Sequence, residues 1–241
     1  MGTARLFDRY YFSKQNFRDG TERFHELCRM HHDGTDPILE VGAGPANPTT
    51  AFLATLGRVV GLDISSEVLS NPQLAESNIY DGNNMPFAES TFSLCVSNYV
   101  LEHVADPSAH FREIFRILKP GGFYCFRTPN RWHYVTLASR ALPHSWHLRL
   151  TNKLRALHDD AHDPWRTFYR ANDCRTLNRL AKTCGLVAEQ LNLIEAEPSY
   201  GAAHAVLVYP MMAYERLVNS HKIFEPFRVN IFGVLRKPIS W

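Results

Sequence analysis

The sequence has no apolar run long enough to cross a bilayer. Its longest, AAHAVLVYPMMA at residues 202–213, falls short of the ~20 residues a spanning helix needs and contains a histidine and a proline. The opening segment MGTARLFDRYYF lacks the apolar core of a secretory leader, so a cytoplasmic chain without a signal peptide is expected. The five cysteines are odd in number and form no C-x-x-C pair, which argues against a disulfide framework and for reduced thiols. Neither sign of charge dominates: the formal net charge is +2, and a pI near 8.3 is below the level that suggests a nucleic-acid binder. With 45% hydrophobic and 21% charged residues, wholesale disorder is excluded as well. No repeat or low-complexity segment breaks the chain.

What the sequence does have is an alternation of short apolar runs and helical stripes. ILEV (38–41), RVVGLDIS, NIYDG, TFSLCVSN (91–98) and FYCFRTPN read as five strands, the third with Asp81 at its end. TTAFLATLG reads as a helix stopped at Gly57, with Asn47 as its N-cap and Pro48 at the first helical position. SEVLSN is a brief helix. In PSAHFREIFRILKPGG, Phe111, Ile114, Phe115 and Leu118 form one apolar stripe before Lys119-Pro120-Gly121-Gly122 stops it. This alternation predicts a parallel sheet with helices on both faces. One or two helices over residues 6–30 precede it, and Asp36-Pro37 breaks the chain between. The pattern lapses at residue 130, and residues 130–182 hold ten Lys/Arg against four Asp. A helix resumes in NDCRTLNRLAKTCG, a strand in LVAEQLNLIE, a helix in MMAYERLVNS and a closing strand in RVNIFGVLRKP.

Open α/β sheets bind ligands beyond the carboxyl ends of their strands. Here those ends carry Gly42 and Gly44, Asp63, Asp81, Asn98 with Tyr99, and Arg127. The loop EVGAGPANPTT departs from a dinucleotide fingerprint. A pyrophosphate needs free N–H groups in the loop and at the helix start; Pro45 and Pro48 have none to offer, and Ala46 stands at the third glycine. Asp63 follows Gly44 by about the 20 residues expected of an acid that accepts from ribose hydroxyls. An adenosyl cofactor without phosphate suits this loop better than NAD.

Five segments, ILEVGAGP, VVGLDIS, DGNNMPFAESTFSLCVSNYVLEHVADP, FREIFRILKPGG and FYCFRTPN, cover about residues 36–130 in order. Together they resemble the class I S-adenosylmethionine-dependent methyltransferases, in the broad group called type 11. The resemblance implies an α/β, Rossmann-like, seven-stranded, mostly parallel sheet with helices on both faces, residues 170–195 and 228–238 supplying the last helix and the antiparallel end strands. It implies an N-terminal helical segment (1–35) ahead of a methyltransferase domain (36–241), with a basic lid inserted after the fifth strand (130–170) and a helical insertion (200–226). It places Glu40, Gly42 and Gly44 around the methionine part of S-adenosylmethionine and Asp63 on the ribose hydroxyls. Asp81 and Gly82 would meet the adenine edge, and Asn98 and Tyr99 would lie near the sulfonium.

The implied reaction is in-line methyl transfer, which is mostly proximity and alignment in a dry site. A base is needed only where the acceptor must lose a proton. His103 is the candidate, since the ordinary pKa of histidine suits that task; packing the start of a helix is its competing role. A small-molecule acceptor is expected, a sugar, phenol or other secondary metabolite, lined by Tyr10, Tyr11, Tyr99 and His133. Arg127, Arg131 and Arg170 would pair with a carboxylate or phosphate on an anionic acceptor, the alternative being a solvated basic face. Trp132, Trp146 and Trp165 are expected to pack the lid.

No metal is expected. Glu102-His103 is similar to the E-x-x-E-H of metal-holding methyltransferases, but Tyr99 stands at the first glutamate position. The cluster His158, Asp159, Asp160, His162 and Asp163 reads as a solvated loop. Nucleic acid is not expected as the acceptor, because SNYV stands where amino-group DNA methyltransferases carry N/D-P-P-Y/F. MMAYERLVNSHKIF with the basic lid could touch a membrane surface, although its short apolar face suits a dimer contact or pocket wall better; a monomer or homodimer is expected. Two further readings keep the cofactor residues: a non-methylating cyclisation or rearrangement, and a catalytically silent partner subunit.

Overall fold

Seven strands form one sheet in the order β3-β2-β1-β4-β5-β7-β6. They are β1 (Ile38–Val41), β2 (Val59–Asp63), β3 (Glu76–Ile79), β4 (Phe92–Asn98), β5 (Leu118–Pro129), β6 (Val187–Ile194) and β7 (Asn230–Arg236). The structure, a computed structural model, describes residues 3–34, 37–141, 166–198 and 205–239. Asp36, Trp146, Trp165 and the cluster His158, Asp159, Asp160, His162 and Asp163 lie outside these residues.

The central strands carry near-continuous apolar runs because side chains on both of their faces are covered. Ile38, Leu39 and Val41 in β1, Val59, Val60 and Leu62 in β2, and Leu94, Cys95 and Val96 in β4 are all buried. β1 runs parallel to β2 on one side and to β4 on the other, with Val41 aligned to Leu62 and to Ser97. The chain thus proceeds outward from β1 to β3 and then returns to the opposite side of β1. This reversal opens a crevice between the loops that follow β1 and β4, the place where such sheets take ligands. β4 and β5 are also parallel, as are β2 and β3. β7 is antiparallel to β5: Gly121 N–H donates to the Lys237 carbonyl at 2.8 Å, and Lys237 N–H returns to Gly122 at 2.9 Å.

The helices are α1 (Thr3–Phe7), continued by a π-helical turn over Asp8–Phe12, then α2 (Gly20–Met30), α3 (Pro48–Leu56), α4 (Pro107–Ile117), α5 (Tyr134–Ala141), α6 (Cys174–Thr183) and α7 (Ala205–Ser220). Asn47 caps α3 and Asp106 caps α4, each accepting two first-turn amides, with proline at the first helical position in both. The five cysteines are free thiols, Cys95 and Cys125 buried within strands as expected.

Three local expectations shift. Lys119-Pro120-Gly121-Gly122 stops α4 but also belongs to β5, which begins at Leu118; β7 supplies its partners, and Lys237 Nζ donates to the Leu118 carbonyl at 2.7 Å. The third strand ends at Ile79, so Asp81 lies in the turn beyond it. The helix expected in MMAYERLVNS starts earlier and runs through Pro210. A proline inside a helix removes one hydrogen bond; here Val208 and Met212 on either side of it are buried against Leu6, Phe7 and Tyr11, which offsets the loss.

The chain divides into two compact units. One comprises Arg23–Pro129, Thr167–Asn192 and Ile231–Trp241 and contains the body of the sheet. The other comprises Met1–Glu22, Asn130–Arg166 and Leu193–Asn230. Among its described residues a small core gathers α1 and α7, with Tyr10 and Phe17 packed against it.

Candidate functional site

Most of the amides in the loop after β1 are already used. Gly42 and Ala43 donate to the Leu62 carbonyl at 2.7 and 3.4 Å. Gly44 donates to Asp63 Oδ2 at 2.9 Å and Asn47 to Gln73 Oε1 at 3.3 Å. Thr49 and Thr50, in the first turn of α3, donate to Asn47 Oδ1 at 2.9 and 3.0 Å. The amide of Asn47 closes the other half of the loop, donating to the Ala43 and Pro45 carbonyls at 2.8 and 3.1 Å. With Pro45 and Pro48 unable to donate, the start of α3 is not a phosphate cradle, since that role needs several free N–H groups. Gly42 is required at its position: its φ is 73°, and a Cβ there would overlap the Val100 side chain of the loop after β4.

What the loop leaves open is a carboxylate. Glu40 is only 3% exposed, the Thr50 hydroxyl hydrogen-bonds its carboxyl, and its Oε2 has no hydrogen-bond partner. Burial pushes this carboxyl up to about 7, with the charge of Asp63 adding to the rise and the Thr50 hydrogen bond opposing it. A buried acceptor without a donor is costly, and a cationic donor is what it lacks. Asp63, at the end of β2, is held by the Gly44 amide on Oδ2 and by the Ser65 amide on Oδ1 at 2.8 Å. Each oxygen keeps a further lone pair for a ligand hydroxyl. Asn71, buried beside the loop, donates to the Gly44 carbonyl at 3.2 Å.

Asp81 organises the turn after β3, accepting from the Asn83 and Asn84 amides at 2.8 Å each. Those hydrogen bonds hold its carboxyl below the ordinary value. Gly82 follows it with a φ of 83°. Asn98 ends β4 with both ends of its amide engaged, by Thr49 and by Arg127. Tyr99 is 36% exposed and has a φ of 58°. Glu40, Gly44 and Asp63 lie together at the carboxyl ends of β1 and β2, with Asn98 and Tyr99 at the end of β4 and Asp81 in the turn after β3. A phosphate-free nucleoside with a cationic, amino-acid-like end fits them: an orphaned acid for the cation, an oriented acid for a diol, and no donor row for a phosphate.

Residues 39–126 match the family model described as "Methyltransferase domain". Over these residues the chain matches a methyltransferase domain. The methyltransferase domain is similar over 111 residues to an uncharacterized methyltransferase of Schizosaccharomyces pombe, at 32% identity over 38% of this chain and 39% of that protein. It is likewise similar to the malonyl-[acyl-carrier protein] O-methyltransferase of Erwinia billingiae, at 33% identity over 38% of each chain. The chain thus spans about two fifths of the length of these curated relatives. In fold it resembles the [4+2]-cyclase SpnF, with a TM-score of 0.58 at 15% identity over 96% of this chain and 86% of that one. S-adenosylmethionine is the cofactor of the family.

Beyond Tyr99, His103 is half-buried on the single 3-10 turn Leu101–His103, with Leu101 and Glu102 buried beside it. Glu102 joins a network that sequence reasoning missed: the Thr128 hydroxyl donates to its Oε2 at 3.1 Å and accepts from Asn172 Nδ2 at 2.7 Å. Arg127 is buried, its guanidinium 4.5 Å from the Tyr99 ring centroid. Arg170 is exposed and donates to the Ala105 carbonyl.

The remaining acceptor-side candidates, Tyr10, Tyr11, Arg131 and His133, belong to the other unit. Tyr10 is half-buried. Tyr11 is buried, and its hydroxyl donates to Glu215 Oε2 at 3.0 Å. The Arg131 guanidinium lies 5.4 Å from the centroid of Trp132, which is 49% exposed. His133 is buried against Tyr134 and Tyr214, with ring centroids at 4.3 and 5.4 Å. Its Nε2 is 3.7 Å from Glu195 Oε2. Burial pushes His133 down to about 3 and Glu195 up to about 8, disfavouring the charged form of each.

Proposed function

We propose that this chain transfers the methyl group of S-adenosylmethionine to a small-molecule acceptor, a sugar, phenol or other secondary metabolite. The observation that supports this most is the loop after β1, most of whose amides are consumed while the buried Glu40 Oε2 keeps no partner. Glu40, with Gly42 and Gly44 admitting the ligand past their missing side chains, would hold its ammonium end. Asp63 would accept from the ribose hydroxyls, Asp81 and Gly82 would border the adenine, and Asn98 and Tyr99 would stand at the sulfonium end.

When bound, the cofactor supplies a methyl group activated by its neighbouring positive charge. The task left to the chain is alignment and exclusion of water. His103 would take the proton from an acceptor that must lose one. Of the acceptor-side candidates in the unit that holds the cofactor residues, Arg170 keeps more surface than Arg127 and is the one retained for contact with the acceptor's anion. The reading is of a cytoplasmic enzyme, monomeric or homodimeric, without a metal.

The test is incubation with S-adenosylmethionine and a panel of sugars, phenols and small hydroxylated acids. S-adenosylhomocysteine should be released with at least one class. Calorimetry showing no binding of either sulfur nucleoside would overturn the reading. Product formation without S-adenosylhomocysteine would point instead to a cyclisation or rearrangement.

A further inference from the structure

Arg127, near the end of β5, is 6% exposed, a costly place for a charge unless partners are built around it. Its Nε donates to Asn98 Oδ1 at 2.8 Å, and Asn98 Nδ2 donates to Thr49 Oγ1 at 2.9 Å. Thr49 sits in the first turn of α3, so a chain of hydrogen bonds links β5, the end of β4 and the helix after the glycine loop. The guanidinium also faces three rings, with its centre 4.5 Å from the centroid of Tyr99, 5.5 Å from Phe24 and 6.0 Å from Phe232. Tyr99 adopts a φ of 58°, a conformation that bulky residues avoid. Its amide donates to the Arg127 carbonyl at 2.8 Å. Backbone and side chain of one residue therefore hold this corner in an otherwise disfavoured shape.

We propose that Arg127 is a positioning residue: through Asn98 and the Tyr99 ring it locks the corner after β4 against α3, and so sets the sulfur end of the cofactor site. This rests on the cofactor reading above. An asparagine amide engaged at both ends is fixed in orientation, and an aromatic ring with a buried cation beside it loses freedom to swing. The same commitments leave Arg127 poorly suited to catching an acceptor's anion.

The test titrates S-adenosylhomocysteine and adenosine into the whole chain, comparing wild type, Arg127→Lys, Asn98→Ala and the double variant by calorimetry, with a thermal melt of each. Lysine keeps the charge but lacks the planar fork that reaches Asn98. Arg127→Lys should weaken S-adenosylhomocysteine about 10-fold or more, the range for a hydrogen bond to a charged group. It should leave adenosine, which has no sulfur end, within about 2-fold. The double variant should be no weaker than the worse single one, because both act through one contact. Equal losses for the two ligands, additive losses, or an unchanged Arg127→Lys would each overturn the proposal. If Arg127→Lys does not fold, Asn98→Ala carries the same comparison of the two ligands. Wild-type protein that fails to bind S-adenosylhomocysteine would overturn the cofactor reading itself.

Discussion

Replacing Glu40 with glutamine removes a titration while leaving the volume of the side chain in place. Burial, aided by the charge of Asp63, raises the Glu40 carboxyl from an ordinary 4.5 to about 7. The unfolded chain releases this proton near the ordinary value and the folded chain only near 7. The contribution to stability is therefore complete below 4.5 and lost as pH rises through 7. At 1.36 kcal/mol per pH unit of separation, roughly 2.5 kcal/mol of that loss accumulates between about pH 5 and pH 8. For a chain of this length each kcal/mol moves Tm by about 2–4 °C. The Tm of ligand-free Glu40→Gln, measured relative to wild type, should thus rise by roughly 5–10 °C between pH 5 and pH 8. His133 and Glu195 titrate as well, but equally in both proteins, so the difference isolates Glu40. Adding S-adenosylhomocysteine should act in the opposite direction, because the ammonium supplies the donor that Glu40 Oε2 lacks; wild type should bind it about tenfold more tightly near pH 7. Melting curves of the two ligand-free proteins that stay parallel across this range would refute a buried carboxyl waiting for a cation.

Asp63→Ala deprives the Gly44 and Ser65 amides of their acceptor and should weaken both adenosine and S-adenosylhomocysteine by on the order of 10–100-fold in calorimetry; unchanged affinity would mean the ribose lies elsewhere. Gly42→Ala should lower stability by about 2 kcal/mol in a urea melt, from the left-handed φ and the overlap with Val100, and Val100→Ala in the same chain should recover part of that loss. His103→Asn should slow transfer to an acceptor that must lose a proton by about 10²–10⁴-fold and abolish the acidic limb of its pH profile. A rate and profile that survive the change would remove His103 as the base.

How far the site could be read in advance follows from the range of each signal. Asn47-Pro48 caps α3 through hydrogen bonds spanning two or three residues, so the letters alone locate it. The positions of Gly42, Gly44, Asp63, Asn98 and Tyr99 at strand ends follow because a parallel sheet places its carboxyl ends along one edge, whereas Asp81 falls in the turn beyond β3. Arg127 is different. As a strand-end arginine it reads as an anion binder, whereas its surroundings are rings from α2 and β7 and the Asn98 amide, which no local pattern could assemble. The Glu195–His133 contact and the Glu102–Thr128–Asn172 network join residues far apart in the chain, so neither partner could be read from the letters around His133 or Glu102.

The sequence by itself determined the alternation of strands and helices, the capped start of α3 and a loop unable to cradle phosphate, all consequences of backbone chemistry within a few residues. Tertiary structure alone decided that α7 continues through Pro210, that β5 begins at Leu118 and takes in Lys119-Pro120-Gly121-Gly122, and that the carboxyl of Glu40 is raised to about 7. Those outcomes depend on burial and on partners brought in from distant strands and helices, and desolvation is a property of the packed molecule that no single stretch of residues carries.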